Sequence, residues 1–327
     1  MACLKLPSVF SSESSSSHVL CVDNSTNGLV HFFYYVFNFL NNSFGDAGVD
    51  AKLGIRKFRL SDWERYWKLL DEQPSPSRAF SDLFWAALPW ESFQNDLGEI
   101  HMLDIGCGQG VYAKKFSIFS GDRISSYAGL DVRAYNEWRQ FQERDISFST
   151  FDGENLSQHI PTRTNLIVSQ SALEHIPKDL YLFQQIHDWT QKNPRPILQL
   201  HLIPSAYGLR LFRLHGVRQY TPRTISRITR IFNDASVSIL FELGGRVSNE
   251  LHLKFITDPL RKGKGDRRYQ DPEEYAHRLK DAVRRDMDAP TTVPSFYALA
   301  VASSFSSSLF HPNHAENWFD RPRQNIP

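Results

Sequence analysis

The sequence predicts an α/β protein built on a doubly wound, mostly parallel sheet, and three observations carry that expectation. First, the apolar stretch that ends in Leu103-Asp104-Ile105 runs directly into Gly106-Cys107-Gly108-Gln109-Gly110 and then into a helical pattern. Second, short apolar runs alternate with helical periodicity for the rest of the chain. Third, several of those runs stop at an acid or an amide, which is where an open parallel sheet gathers ligand-binding groups.

Each element follows from local chemistry. Glycines where a strand turns into a helix permit positive φ and remove the Cβ atoms that would hold a ligand off the backbone. After Val111 to Ile118, with its Lys114-Lys115 pair, Ser126-Tyr127-Ala128-Gly129-Leu130-Asp131-Val132 reads as the second strand. Tyr135 to Gln142 is helical, and Ile146 to Phe151 forms a third strand ending at Asp152-Gly153. A fourth strand, Asn165 to Gln170, leads into Leu173-Glu174-His175. Leu180, Phe183 and Ile186 then recur at helical spacing. Pro196 to Ile203, Val237 to Leu243 and Ser295 to Ala302 complete seven strands. Asp131 stands roughly 25 residues after the first glycine, close to where such folds place the carboxylate that binds ribose hydroxyls. A strand-end acid making a turn is the competing role. A dinucleotide fingerprint requires a small residue at its third glycine position, and here that position is Val111, which counts against a nicotinamide cofactor.

The spelling Leu-Asp-Ile-Gly-Cys-Gly-Gln-Gly resembles the first motif of the class I S-adenosylmethionine-dependent methyltransferases. The resemblance implies a Rossmann-like sheet whose last strand enters antiparallel between the fifth and sixth, with S-adenosyl-L-methionine as cofactor. It places Asp104 near the methionine end and the loop of Gly106, Cys107, Gly108 and Gly110 beneath the cofactor, Cys107 serving only as a small side chain. Asp152, with Gly153 beside it, takes the acid that accepts from the adenine amino group, or else caps the next helix. Gln170 ends the fourth strand at the same pocket, and Leu173-Glu174-His175 resembles the family's turn there.

Organisation follows from composition. Residues 1–57 are expected to be a disordered tail, since positions 8 to 17 are mostly serine and only Lys5, Lys52, Arg56 and Lys57 carry positive charge. The run from Leu29 to Leu40 is apolar, yet a dozen residues fall short of the roughly 20 that span a bilayer. Residues 58–303 form the expected catalytic domain. Its parts are N-terminal helices over 58–98, a basic insertion over 204–232 after the fifth strand, and a helical insertion over 246–290. Residues 304–327 are an expected C-terminal tail. A capping-box pattern at Ser61-Asp62-Trp63-Glu64 opens the first of those helices.

Formal net charge is only +1 over 327 residues, which with no appended recognition module weighs against nucleic acid. Three scattered cysteines supply neither a disulfide framework nor zinc spacing, and His311-Pro312-Asn313-His314 reads as polar tail; a cytoplasmic protein without metal is the expectation. Between Ser205 and Phe232 stand six arginines, Arg213 and Arg218 among them, and no acid. Guanidinium groups bind phosphate or carboxylate bidentately, so a small anionic or sugar-type acceptor is expected, with a solvated basic face as the alternative. An oxygen nucleophile gains from a base, for which His201 and His215 are the candidates. A non-catalytic cofactor-binding module, or a nucleic-acid methyltransferase, are the other readings.

Overall fold

The computed structural model describes residues 9–23, 25–141, 145–212, 214–232, 236–288, 293–305 and 317–320. Among these residues eight strands are present: β1 (Leu53–Lys57), β2 (Ile100–Ile105), β3 (Ile124–Asp131), β4 (Ile146–Thr150), β5 (Leu166–Gln170), β6 (Ile197–Pro204), β7 (Ser236–Leu243) and β8 (Phe296–Ser303). The helices are α1 (Gly28–Ser43), α2 (Pro76–Ala87), α3 (Trp90–Leu97), α4 (Val111–Ser120), α5 (Asp179–Lys192), α6 (Gly208–Leu211), α7 (Pro222–Thr229), α8 (Arg246–His252), α9 (Asp258–Arg261), α10 (Pro272–Asp288) and α11 (Asn317–Asp320).

The strands form one sheet in the order β1-β7-β8-β6-β5-β2-β3-β4. All pairings are parallel except those of β8, which runs antiparallel between β6 and β7. The chain steps outward from β2 to β4 and then returns to the other side of β2 as β5, so strand order reverses between β2 and β5. This is a Rossmann-like α/β sheet with the expected antiparallel last strand. One strand was not foreseen: β1 adds to the outer edge, pairing Leu53 with Ser238 through Lys57 with Glu242.

Side-chain alternation explains the two layers. Leu166 and Val168 of β5 face a core shared with α2, α4, α8 and α10, while Ile167 between them faces a second core shared with α5 and α7. Strands β6 and β8 are buried at every position, as expected for strands covered on both faces. The Ser61 capping pattern yields a 3-10 turn over Trp63–Leu69 with no side-chain cap, rather than an α-helix. The Tyr135 to Gln142 stretch likewise shortens to a 3-10 turn, Asn136–Gln140.

The expected disordered tail over 1–57 is corrected over its described residues, 9–23 and 25–57. Its apolar run is α1, its end is β1, and the middle of its serine stretch, Ser14, Ser15 and Ser16, is buried. Helix α1 is inverted relative to its sequence: Tyr34, Asn38 and Asn41 are buried, whereas Leu29, Phe32, Phe39 and Leu40 are exposed. Polar atoms decide this, since Asn38 Nδ2 donates to the carbonyls of Tyr34 and Val217, and Tyr34 Oη donates to the carbonyl of His215. No helix among the described residues is long and apolar enough to cross a membrane. The C-terminal tail is corrected in part. Trp318 and Phe319 of α11 pack into the core on Phe58, Phe84 and Phe241. His311 and His314 lie outside the described residues.

Candidate functional site

The site forms where four loops meet at the carboxyl ends of β2, β3, β4 and β5. Gly106, Gly108 and Gly110 all take positive φ, at 77°, 54° and 83°, which L side chains rarely adopt. Close approach adds a second constraint at Gly106, where a Cβ would lie 2.3 Å from that of Ala172. The loop is pinned to the neighbouring strand. The amides of Gly106 and Cys107 both donate to the carbonyl of Leu130, at 2.7 and 3.0 Å, and Gly108 N–H donates to Asp131 Oδ2 at 2.8 Å. Trp138 Nε1 donates to the Gly108 carbonyl from outside.

The acids fall into two environments. Asp104 is fully buried; Tyr127 Oη donates to its Oδ2 at 2.6 Å, and its Oδ1 has no hydrogen-bond partner. Burial, reinforced by the nearby Asp131 charge, pushes its carboxyl up to about 7 against the hydrogen bond from Tyr127. Asp152 is exposed at the end of β4, where its Oδ1 accepts from the Glu154 amide in a local turn, and Gly153 takes φ 92° with open space around it. Gln170 is held by Trp85, whose Nε1 donates to its Oε1 at 2.7 Å, and its amide donates to Ser171 Oγ. Ser171 itself sits at φ 53°. Burial pushes the Cys107 thiol far up, with Asp104 and Asp131 adding to the effect, so it is no thiolate nucleophile.

Two of the expected acceptor-side residues are corrected. His201 lies inside β6 with no exposed surface, its Nδ1 2.9 Å from Ser169 Oγ and its ring edge-on to Phe183; burial lowers its pKa to about 3. It is a core residue, walled off from any acceptor. Arg218 is equally buried. Its Nε donates to Ser16 Oγ, its two terminal nitrogens to Ser14 Oγ and to the carbonyls of Ile176 and Pro177, and Asp179 Oδ2 lies 3.3 Å away. Four hydrogen bonds and the ion pair with Asp179 thereby occupy the guanidinium within the fold. Arg213 lies outside the described residues. Arg223, Arg227 and Arg230 line a different, open groove against Phe44, Ala47 and Gly48.

His215 lies beside the Leu173–His175 turn. Its Nε2 is 3.6 Å from Glu174 Oε1, and its ring centroid is 4.6 Å from that of His175. Burial opposes its charge, but Glu174 and Asp23 outweigh burial and hold its pKa above the ordinary value. The backbone locks this arrangement: Val217 N–H donates to the Glu174 carbonyl at 2.7 Å, and a Cβ on Gly216 would strike that carbonyl at 2.5 Å. Asp23, which no motif singles out, reaches in from the N-terminal segment; one oxygen is 2.6 Å from His175 Nδ1 and the other accepts from the Gly216 amide. Glu174 had a signal in the sequence, a lone acid between Leu173 and Ile176. Asp23 had none.

No protein-family model matches this chain, nor does any curated protein. Its fold is similar to solved methyltransferase structures at low identity. The plantazolicin methyltransferase BamL is 13% identical over 74% of this chain and 90% of that one, with a TM-score of 0.42. A SAM dependent methyltransferase from Archaeoglobus fulgidus is 14% identical, covering 74% of this chain and 100% of its own, at 0.40. An S-adenosylmethionine dependent methyltransferase from Mesorhizobium loti is 12% identical, covering 65% and 95%, at 0.38. At these TM-scores the likeness adds nothing to what the strand order itself says of the fold.

Proposed function

We propose that this protein binds S-adenosyl-L-methionine at the Gly106 turn and transfers its methyl group to a small acceptor. The observation that carries the reading is the glycine turn itself. Three consecutive alternating glycines at positive φ are tied to Leu130 and Asp131 at the point where strand order reverses. The residues present fit the cofactor. A buried Asp104 oxygen without a partner suits an ammonium group, and Gly106, Gly108 and Gly110 at positive φ carry no side chain over the turn.

When bound, the sulfonium supplies an activated methyl group for in-line displacement. The chain's own contribution is binding and alignment. Asp131 accepts from ribose hydroxyls, Asp104 from the methionine end, and Asp152 from the adenine, while Gln170, fixed by Trp85, holds the floor between them. The acceptor enters on the side of the Leu173–His175 turn and His215. A charged acceptor no longer follows from the arginine segment, because Arg218 is spent inside the fold.

Calorimetric titration of the full chain with S-adenosylmethionine tests this. Binding is expected, with Asp131→Ala weakening it by about 1.5–3 kcal/mol, the range for hydrogen bonds to a charged group. Tight NADH binding in its place, or affinity unchanged in a folded Asp131→Ala, overturns the reading. Cofactor binding with no conversion to S-adenosylhomocysteine in a cell extract identifies a binding module instead of an enzyme.

A further inference from the structure

We propose that Glu174, His175 and His215 form a binding site for one divalent first-row transition cation. One ligand atom from each of the three residues lies within 4.8 Å of the other two. Metal–ligand bonds of about 2.0–2.1 Å in a tetrahedral site put donor atoms about 3.3 Å apart. His215 Nε2 and Glu174 Oε1 already stand 3.6 Å apart, too far for a hydrogen bond and close to the spacing that a shared cation imposes.

The second observation is the state of Glu174. Its side chain has no exposed surface, and neither carboxylate oxygen has a hydrogen-bond partner. An ionised carboxylate buried in that way is costly unless it is paired or coordinates a metal. A charged His215 is the only cation near it among the described ion pairs, and that contact leaves the second oxygen unmet.

Support around the ligands is of the kind metal sites need. Metal-binding histidines usually give their other nitrogen to a carboxylate, which fixes ring and tautomer; His175 is joined through Nδ1 to Asp23 at 2.6 Å. Asp23 is itself anchored by the Gly216 amide, next to His215. Two imidazoles and one carboxylate favour a transition cation over magnesium or calcium, which take oxygen donors. Three protein ligands leave a coordination position open. The site stands on these side chains alone and does not depend on the cofactor reading.

The test is cobalt(II) and zinc titration of the full chain after chelator treatment, without S-adenosylmethionine. One equivalent of Co²⁺ is expected to bind with visible d–d absorption and to be displaced by Zn²⁺. Glu174→Gln and His215→Ala each weaken binding by 100-fold or more, and Asp23→Asn by about 10-fold, the range for residues that orient ligands. His101→Ala removes a histidine that pairs with Glu99 elsewhere and leaves binding unchanged. Thermal melting of each variant establishes that it is folded; if Glu174→Gln does not fold, His215→Ala carries the same test. No stoichiometric binding by the native chain, or undiminished binding by a folded variant of either ligand, overturns the proposal.

Discussion

Arg218 and Asp179 lie 3.3 Å apart with both side chains wholly buried, and the serine stretch at the N-terminus completes their hydrogen bonding. Asp179 accepts from the Ser15 amide and hydroxyl and from Tyr220 Oη, while Arg218 reaches Ser14, Ser16 and two carbonyls. The serines act as solvent would, satisfying an ion pair that the core has dehydrated.

Removing one partner should therefore be costly. Arg218→Met is expected to destabilise the protein by about 3–5 kcal/mol, because Asp179 is left as an uncompensated buried charge. A chain beginning at residue 18 should also lose stability, since Ser14, Ser15 and Ser16 go with it. Urea unfolding followed by circular dichroism measures both. An unchanged midpoint for the shortened chain would show that water replaces the serines without cost.

The inverted helix α1 makes the opposite forecast from its hydropathy. Asn38→Leu should destabilise by about 1–3 kcal/mol, because the Val217 carbonyl loses its donor in a buried setting. Phe39→Ser, at an exposed position, should stay within about 0.5 kcal/mol of the native protein. Thermal melts of the pair decide it, and a larger loss for Phe39→Ser would mean that α1 docks the other way round.

Asp104 should make stability depend on pH in a predictable sense. Its folded pKa, about 7, lies above the ordinary 3.8, so the folded state holds a proton that the unfolded chain releases between those values. The stability this proton confers is present below about pH 4 and is lost as pH rises to 7, at about 1.4 kcal/mol per pH unit. Asp104→Asn removes the dependence. Its stability advantage over the native chain, measured without cofactor, should grow from pH 4 to pH 7 and level off above, while S-adenosylmethionine affinity falls. A constant difference across that range would contradict the assignment.

Gly106→Ala probes the turn. The new methyl would meet Ala172 at 2.3 Å from a backbone at φ 77°, so overpacking of about 1–3 kcal/mol is expected together with impaired cofactor binding. Gly153→Ala has open space around it and bears only the strain of positive φ. Melting temperatures should rank the two in that order.

Much of the sheet was legible because its strands are short apolar runs punctuated by glycine and acid, and the glycine turn marks its own junction. What was hidden involved partners distant in sequence. Serines at 14–16 look like low complexity until Arg218, some 200 residues later, gives their hydroxyls something to bind. His201 is a candidate base from its place near the end of the fifth strand. Its flanks, Leu200 and Leu202, belong to a strand buried on both sides, and in such a strand a lone polar residue is more simply an internal hydrogen-bonding group. Helix α1 misled for a related reason, since hydropathy ranks side chains by water-fearing character and ignores which carbonyls wait for a donor.

The short edge strand has a bearing on how the molecule behaves among its own copies. Without β1, the sheet would end at β7, eight residues rich in Val, Ile, Leu and Phe with a free row of backbone groups. Such an edge invites a strand from another chain and seeds aggregation. Covering it with five residues that carry Gly54, Arg56 and Lys57 replaces a long sticky rim by a brief, charged one. Strand β1 thus guards that edge in the finished fold. A chain truncated before Leu53 keeps that guard only through residues Leu53–Lys57, and one truncated after Lys57 should precipitate at concentrations the full chain tolerates.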